Sequence, residues 1–278
     1  MFDLHVHAAP DVTDRRADDI DTALGYEAAG YTGCVLKAHY ESTVGRAHLA
    51  GRDLRTRVFG GIALNRHTGG VNPAAVAAAL LSGGRVVWMP TADAHTQETE
   101  GLPRLCDVAP RLPRHTYAIP PADPTAEAAV GQICALVAEA DAVLATGHLS
   151  TDEVAWLLPV AKAAGVRRLL LTHPSYTVPA MPARQAAQLC ADGAYAEITA
   201  YQLLHQPDAT PAMLAAFARE VGLDRIVLSS DTGQPDSPAA PEAIELLVDA
   251  LAGEGLDRAR LRACASDIPE SLVVPRIS

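Results

Sequence analysis

The sequence predicts one α/β domain over residues 1–278, a single TIM-like (β/α)8 barrel with an enlarged loop after its fourth strand. Three observations predict it. Eight short apolar runs recur along the chain, and Ala-rich helical stretches separate them. The runs are mostly continuous instead of alternating, which suits parallel strands covered on both faces. A length of 278 residues is long for an ordinary domain but normal for such a barrel.

Each element follows in order. Residues 2–7 read as the first strand. Helical stretches are expected at 18–29, 43–55, 72–82, 125–140, 151–164, 182–192, 211–221 and 239–252. Between them, strands are expected at 34–39, 58–63, 86–90, 143–148, 169–173, 195–199 and 226–231. A glycine (Gly30, Gly84, Gly165, Gly193, Gly222) or the acidic break at Asp141 precedes most of these strands, and glycine after a helix supplies the left-handed cap. Pro73, Pro182 and Pro211 stand near helix starts, where a missing N–H costs little. The spacing breaks once, at the proline-rich stretch 92–124, which is read as a wall or lid over the barrel mouth. The tail after Asp267 is expected to pack as a short closing segment. An open doubly wound sheet is the alternative, but Ala8-Ala9-Pro10-Asp11 after the first strand is no phosphate-binding glycine fingerprint.

Composition narrows the function. Formal net charge is −11, which argues against nucleic-acid or anionic-membrane partners and says nothing sharper about the substrate, expected to be a small molecule. Cys34, Cys106, Cys134, Cys190 and Cys264 are odd in number and form no C-x-x-C, as expected of reduced thiols in a cytoplasmic protein. No signal peptide is read before His5, and no apolar run is long enough to span a membrane. A homo-oligomer is open.

The chemistry sits at strand ends. In Met1-Phe2-Asp3-Leu4-His5-Val6-His7, alternation puts His5 and His7 on one face, ready to share a metal ion. Asp3 is expected on that same face, orienting a histidine from behind. Parallel barrel strands all end at one mouth, so His5, His7, Lys37, His39, His148, His173 and Asp231 are expected to meet there. Imidazoles with a carboxylate suit zinc, manganese or iron. Singly, His148 could cap a helix, His173 could be a turn residue, and Asp231 could be an N-cap. Five strand ends carrying such residues together point to a metal centre. Tyr40, Arg66, Asp93, His95, Tyr176 and Tyr201 are positional candidates for substrate contact.

These residues resemble the amidohydrolase superfamily of metal-dependent hydrolases. The matching pieces are Asp3-Leu4-His5-Val6-His7, His148, His173 and Asp231, in order and strand position along the whole chain. The resemblance implies one metal on His5, His7 and Asp231 and a second on His148 and His173. The segments Val35-Leu36-Lys37-Ala38-His39-Tyr40 and Val87-Trp88-Met89-Pro90-Thr91-Ala92-Asp93-Ala94 look similar to an uncharacterised, amidohydrolase-like branch, which supplies no substrate.

One departure stands out. Superfamily members often bridge two metals with a carboxylated lysine or a glutamate on the fourth strand, and Trp88-Met89-Pro90-Thr91 offers neither. Lys37 ends the second strand instead, one of only two lysines among 22 basic residues. A buried ammonium tends to neutralise, pair or react. Lys37 is therefore read either as a carboxylated bridging ligand or as an ordinary ion pair with Asp3 or Asp231.

The expected function is hydrolysis of an amide, lactone or similar carbonyl-type substrate by metal-activated water, with one or two divalent ions, zinc first. Asp231 is the expected general base, with His173 or His39 stabilising the oxyanion. Alternatives are deamination, non-oxidative decarboxylation, a phosphoesterase of the polymerase-and-histidinol-phosphatase type, and a metal-binding scaffold without turnover. The phosphoesterase reading wants a D-x-H near the last strand, which Asp231-Thr232-Gly233 does not supply.

Overall fold

The structure is a computed structural model that describes residues 1–101, 111, 112 and 114–275. Its strands are β1 (Phe2–His7), β2 (Gly33–Lys37), β3 (Arg57–Phe59), β4 (Gly61–Ala63), β5 (Val86–Trp88), β6 (Val143–Ala145), β7 (Arg168–Leu171), β8 (Tyr195–Thr199) and β9 (Ile226–Ser229). The expected third strand is divided at Gly60 into β3 and β4. A Cβ at Gly60 would lie 2.6 Å from the Thr43 carbonyl, so the chain needs glycine where it crosses from one sheet to the other.

All pairings are parallel, in the orders β1-β2-β3 and β4-β5-β6-β7-β8-β9. The two outer strands are also tied together. The Asp231 N–H donates to the His5 carbonyl at 2.7 Å, and the His7 N–H to the Thr232 carbonyl at 2.8 Å. The result is a ring of parallel strands in the (β/α)8 class, with helices outside.

The helices are α1 (Asp19–Ala28), α2 (Val44–Ala50), α3 (Pro73–Leu81), α4 (His95–Thr99), α5 (Glu127–Glu139), α6 (Thr151–Ala163), α7 (Ala183–Ala191), α8 (Ala200–His205), α9 (Pro211–Val221), α10 (Ala240–Gly253), α11 (Arg258–Cys264) and α12 (Asp267–Val273). The eight expected helical stretches all contain helix. Pro73 and Pro211 open theirs, and Pro182 stands at the N-cap of α7. Among the described residues, four helices were not expected: α4 inside the insert, α8 directly after β8, and α11 and α12 near the end. The described part of the tail expected as a closing segment is mostly helix, and it closes the barrel floor.

Burial is two-layered, which explains the continuous apolar runs. Phe2, Leu4, Val35, Ala63, Val86, Trp88, Val143, Ala145, Leu170 and Val227 fill the barrel interior, joined from below by Leu272 and Val273 of α12. The alternate strand residues, such as Val6, Leu36, Leu144 and Leu228, pack outward against the helices. Cys34, Cys134, Cys190 and Cys264 are free and buried; Cys106 lies outside the described residues. Among the described residues no helix is long and apolar enough to cross a membrane.

Candidate metal centre

The strand ends converge. His7, Lys37, His39, His148, His173, Tyr176 and Asp231 line one cavity of about 380 Å³, with Arg15, Tyr201 and Gln234 on its wall. His5 lies just beneath it. Alternation on β2 turns Val35 and Lys37 inward, so the lysine reaches the barrel axis and its Nζ stands 2.8 Å from His5 Nε2. On β1 the alternation is interrupted by a register shift between Asp3 and Val6. Phe2 and Leu4 face the interior, and so do His5 and His7.

That shift corrects the expectation for Asp3. Its carboxylate points behind the sheet, where it accepts from the Tyr26 hydroxyl and, at 3.1 Å each, from the His5 and Ser230 backbone N–H groups. Asp3 holds backbone and orients no imidazole. The group on the His5 ring is Glu197, buried on β8, with Oε1 3.1 Å from His5 Nδ1. Its other oxygen accepts the His173 N–H at 3.1 Å, and the Ser229 hydroxyl adds a third bond at 2.5 Å. The sequence signal for Glu197 is a carboxylate inside the apolar run Tyr195-Ala196-Glu197-Ile198-Thr199.

Two of the proposed ligands sit in strained backbone. His173 has φ 26° and Asp231 φ 50°, in the left-handed region that non-glycine residues seldom occupy. His148 is delivered differently. Gly147 before it has φ 60°, and a Cβ there would come within 2.3 Å of the Met89 carbonyl. The tight approach lets the His148 N–H reach the Pro90 carbonyl at 2.8 Å. The cap of α6 is Ser150 with Glu153 in a capping box, so His148 is not needed as a cap.

Asp231 ties the centre together. Its Oδ1 lies 2.9 Å from His5 Nε2 and 3.3 Å from His7 Nε2, and its Oδ2 lies 4.0 Å from His173 Nε2. One ligand atom each from His5, His7 and Asp231 falls within 4.8 Å of the others. The arrangement fits a divalent cation on two further counts. His5 Nε2 faces both the Asp231 carboxylate and the Lys37 amine, and no placement of one hydrogen serves both. A hydrogen there can be donated to the carboxylate, while a lone pair would be needed to accept an N–H of the Lys37 amine. In addition, His173 Nδ1 is buried with no hydrogen-bond partner.

The electrostatics agree with a site made of neutral imidazoles around one carboxylate. Burial drives the His7, His39 and His148 rings well below the usual imidazole range, and His173 down to about 4. Burial also depresses the Lys37 amine. For Asp231 burial pushes up, but the charge and hydrogen bonds of His5 and His7 outweigh it and hold the carboxyl well below its usual range. His5 is the exception: burial pulls it down, yet the Asp231 and Glu197 carboxylates raise it to about 9. A cation bound at Nε2 has to displace that proton.

The remaining candidates divide. Tyr176 stands edge-on to His173, ring centroids 5.1 Å apart, and Tyr201 is 6.0 Å from Tyr176. His39 stacks on His7 at 4.9 Å, with Nδ1 2.9 Å from the Thr91 hydroxyl. Tyr40 and Asp93 do not line the cavity: the Tyr40 hydroxyl donates to Asp93 at 2.9 Å, and Asp93 also accepts the Arg66 N–H. His95 is likewise outside the lining, with Nδ1 3.5 Å from Glu153 Oε1. The described parts of 92–124 pack beside His148 and α6 and line none of this cavity; residues 102–110 and 113 lie outside the described residues. Among the described residues the wall comes from the loop after β1, with Thr13, Asp14 and Arg15, and from Tyr176, Tyr201 and Gln234. There Arg15, paired with Asp11 at 2.6 Å, brings Nη2 within 3.3 Å of His7 Nδ1. Loop residues of that kind carry no strand-end signal.

The chain belongs to the family of unknown function DUF6282, whose model matches residues 1–197. That span holds every histidine of the centre and Glu197, while Asp231 lies beyond it. No curated protein matches the sequence. Solved structures do. A lactonase from Listeria monocytogenes is 12% identical with a TM-score of 0.67, over 99% of this chain and 95% of that one. An amidohydrolase from Pseudomonas aeruginosa is 11% identical at 0.63, over 98% and 96%. An organophosphorus hydrolase from Deinococcus radiodurans is 11% identical at 0.61, over 98% and 92%. These likenesses show that the chain shares the fold of these hydrolases.

Proposed function

We propose that this chain is a metal-dependent hydrolase that cleaves a small amide, lactone or similar carbonyl-type substrate at the barrel mouth. The observation that supports it most is the meeting of His5, His7 and Asp231, with their ligand atoms within 4.8 Å on strand ends that open into a cavity of ligand size. These three would hold one divalent ion, and His148 and His173 a second; nitrogen and oxygen donors suit zinc, with manganese or iron as substitutes. A bound ion would polarise the substrate carbonyl and acidify water.

The chain's own groups supply the rest. Asp231 has one oxygen between His5 and His7 and a freer one toward His173, where it can accept the proton of the attacking water. It then returns that proton to the leaving amine or alkoxide, so that water is consumed and one acid and one amine or alcohol are released. His39, held through Nδ1 by Thr91, can present its other nitrogen to the substrate oxygen. Tyr176 and Tyr201 form the aromatic wall. Lys37, buried and depressed, is placed to add carbon dioxide at its neutral amine, losing one proton and gaining two oxygen donors. ¹³C-bicarbonate should then give a carbamate resonance that Lys37→Ala abolishes; the bare amine in metal-loaded protein would end that assignment.

The test is elemental analysis of protein purified without chelator, followed by a panel of lactones, amides, phosphomonoesters and aromatic acids. Metal together with lactone or amide turnover is the expected result. Full activity without metal would overturn the reading. Carbon dioxide release from aromatic acids, or phosphomonoester turnover alone, would replace hydrolysis at carbon by another chemistry. Stoichiometric metal with no turnover would make the chain a scaffold.

A further inference from the structure

We propose that Arg15, in the loop after β1, is a substrate-binding residue that selects for an anion: the molecule cleaved at this mouth carries a free carboxylate, held by the unspent side of the Arg15 guanidinium. The choice of substrate rests on the hydrolase reading above; the anion site itself stands on the arginine and its surroundings.

The Arg15 side chain is 5% exposed and lines the cavity. Asp11 holds it by one edge. The Asp11 Oδ2 accepts from Nε at 2.7 Å and from Nη2 at 2.6 Å, while its Oδ1 accepts the Val12 N–H. The same Nη2 stands 3.3 Å from His7 Nδ1. Nη1 has no partner among the described residues. A guanidinium is always charged and only donates, so a side chain this buried with an open nitrogen lacks an acceptor. The planar edge of the guanidinium matches the two oxygens of a carboxylate.

Three features favour an acceptor brought in by a ligand. First, the loop is fixed beforehand. The Ala9 N–H donates to the Ala17 carbonyl and the Arg16 N–H to the Gly233 carbonyl, both at 2.8 Å, and Arg46 holds the Ala8 and Pro10 carbonyls. Little ordering is then left to be done at binding. Second, the other charges of the lining are spent or solvated. Asp231 is held between His5 and His7, Asp14 is exposed to water, and burial depresses the Lys37 amine. Third, the Arg15 charge acts into the cavity. Burial, and after it Arg15, lowers His7; burial raises the Tyr201 hydroxyl, and Arg15 is among the groups that oppose it. Guanidinium and phenol thus share one part of the mouth. Arg15 adjoins one nitrogen of His7, and the other nitrogen is 3.3 Å from Asp231 Oδ1. The carboxylate and the attacked carbonyl therefore belong to one short molecule.

The experiment uses the full chain as purified with its metal. Calorimetry compares malonate, succinate and glutarate with propionate, butyrate and valerate, which keep one carboxylate and lack the second. At least one dicarboxylate should bind the wild type about 10- to 150-fold tighter than its partner, the range for a hydrogen bond to a charged group. Arg15→Gln should erase that preference, Arg15→Lys should keep part of it, and metal content should match wild type in both. In turnover, lactones and amides bearing a free carboxylate should show lower KM than their methyl esters, and Arg15→Gln should close the gap through KM more than through kcat. If no dicarboxylate is preferred by the wild type, the inference falls whether or not the variants fold. Loss of metal in Arg15→Gln would make Arg15 a support of His7 and also overturn it. Inorganic phosphate held more tightly than any dicarboxylate, and lost in Arg15→Gln, would replace the carboxylate by a phosphoryl group. If the preference depends on Arg15 but no lactone or amide is turned over, the anion site stands and the hydrolase reading fails instead.

Discussion

The two ends of the barrel use their polar residues in opposite ways. At the floor, Arg85 and Arg168 have acceptors suited to them. Arg85 donates to the carbonyls of Ala140, Asp141 and Val273, at 3.1, 2.7 and 2.8 Å. Arg168 donates to the carbonyls of Ser271 and Leu272 at 2.6 and 2.7 Å and pairs with Asp141 at 2.6 Å. These bonds satisfy carbonyls that helix ends leave without partners, and they seat α12 under the strands. At the mouth, His173 Nδ1 has no partner, His5 Nε2 has two that conflict, and His173 and Asp231 hold strained backbone. Satisfied polar groups mark the end that carries stability; unsatisfied and strained ones mark the end that carries chemistry.

The largest expected effect is at the mouth. Asp231→Asn keeps the shape and one oxygen but removes the base, so kcat should fall ~10²- to 10⁴-fold on the true substrate. Thermal melting should shift little, because the interior core is untouched. Normal turnover would move the proton to His173 or His39 and break the contrast at its centre.

At the floor the effect should be on stability instead. Leu272 is buried in the interior cluster, and Leu272→Ala should cost about 2–5 kcal/mol of folding free energy. Denaturant unfolding would measure the loss. Metal content and KM of the folded fraction should not change. A variant with wild-type stability and low kcat would show that α12 reaches the chemistry.

The smallest effect is electrostatic. Hydrogen bonds from Arg168 and Arg167 hold the Asp141 carboxyl down at about 2, against an ordinary value of 3.8. A depressed folded-state pKa contributes stability above the unfolded value and loses it as pH falls through the folded one. Asp141 also has φ 47°, which asparagine tolerates, so Asp141→Asn removes charge with little backbone penalty. Its melting temperature should lie below wild type at pH 7, and the gap should close between about pH 4 and pH 2. A gap independent of pH would mean that packing, not the ion pair, sets the floor.

Much of the mouth was legible because strand ends of a parallel barrel share one face. His5, His7, Lys37, His148, His173 and Asp231 could be read as strand ends from local pattern, and taken together, not singly, they pointed to one site. Asp3 could not, because one register shift in β1 reverses the face that alternation assigns. Tyr40 and Asp93 were placed near the mouth by chain position, but loops turn, and these two bond to each other instead. Arg15 carried no signal, since nothing in a loop sequence says which histidine it will meet.

By itself, the sequence determined which segments become strands and which imidazoles and carboxylates end them, because side-chain periodicity and apolar runs are local properties of the chain. Only the tertiary structure decided which polar group each of these meets. Glu197 finds His5 across 192 residues, and Arg168 finds the α12 carbonyls of Ser271 and Leu272 across 103 and 104. Such pairings depend on strand order, register and loop path, which are set by packing the whole ring at once and leave no periodic trace in either segment.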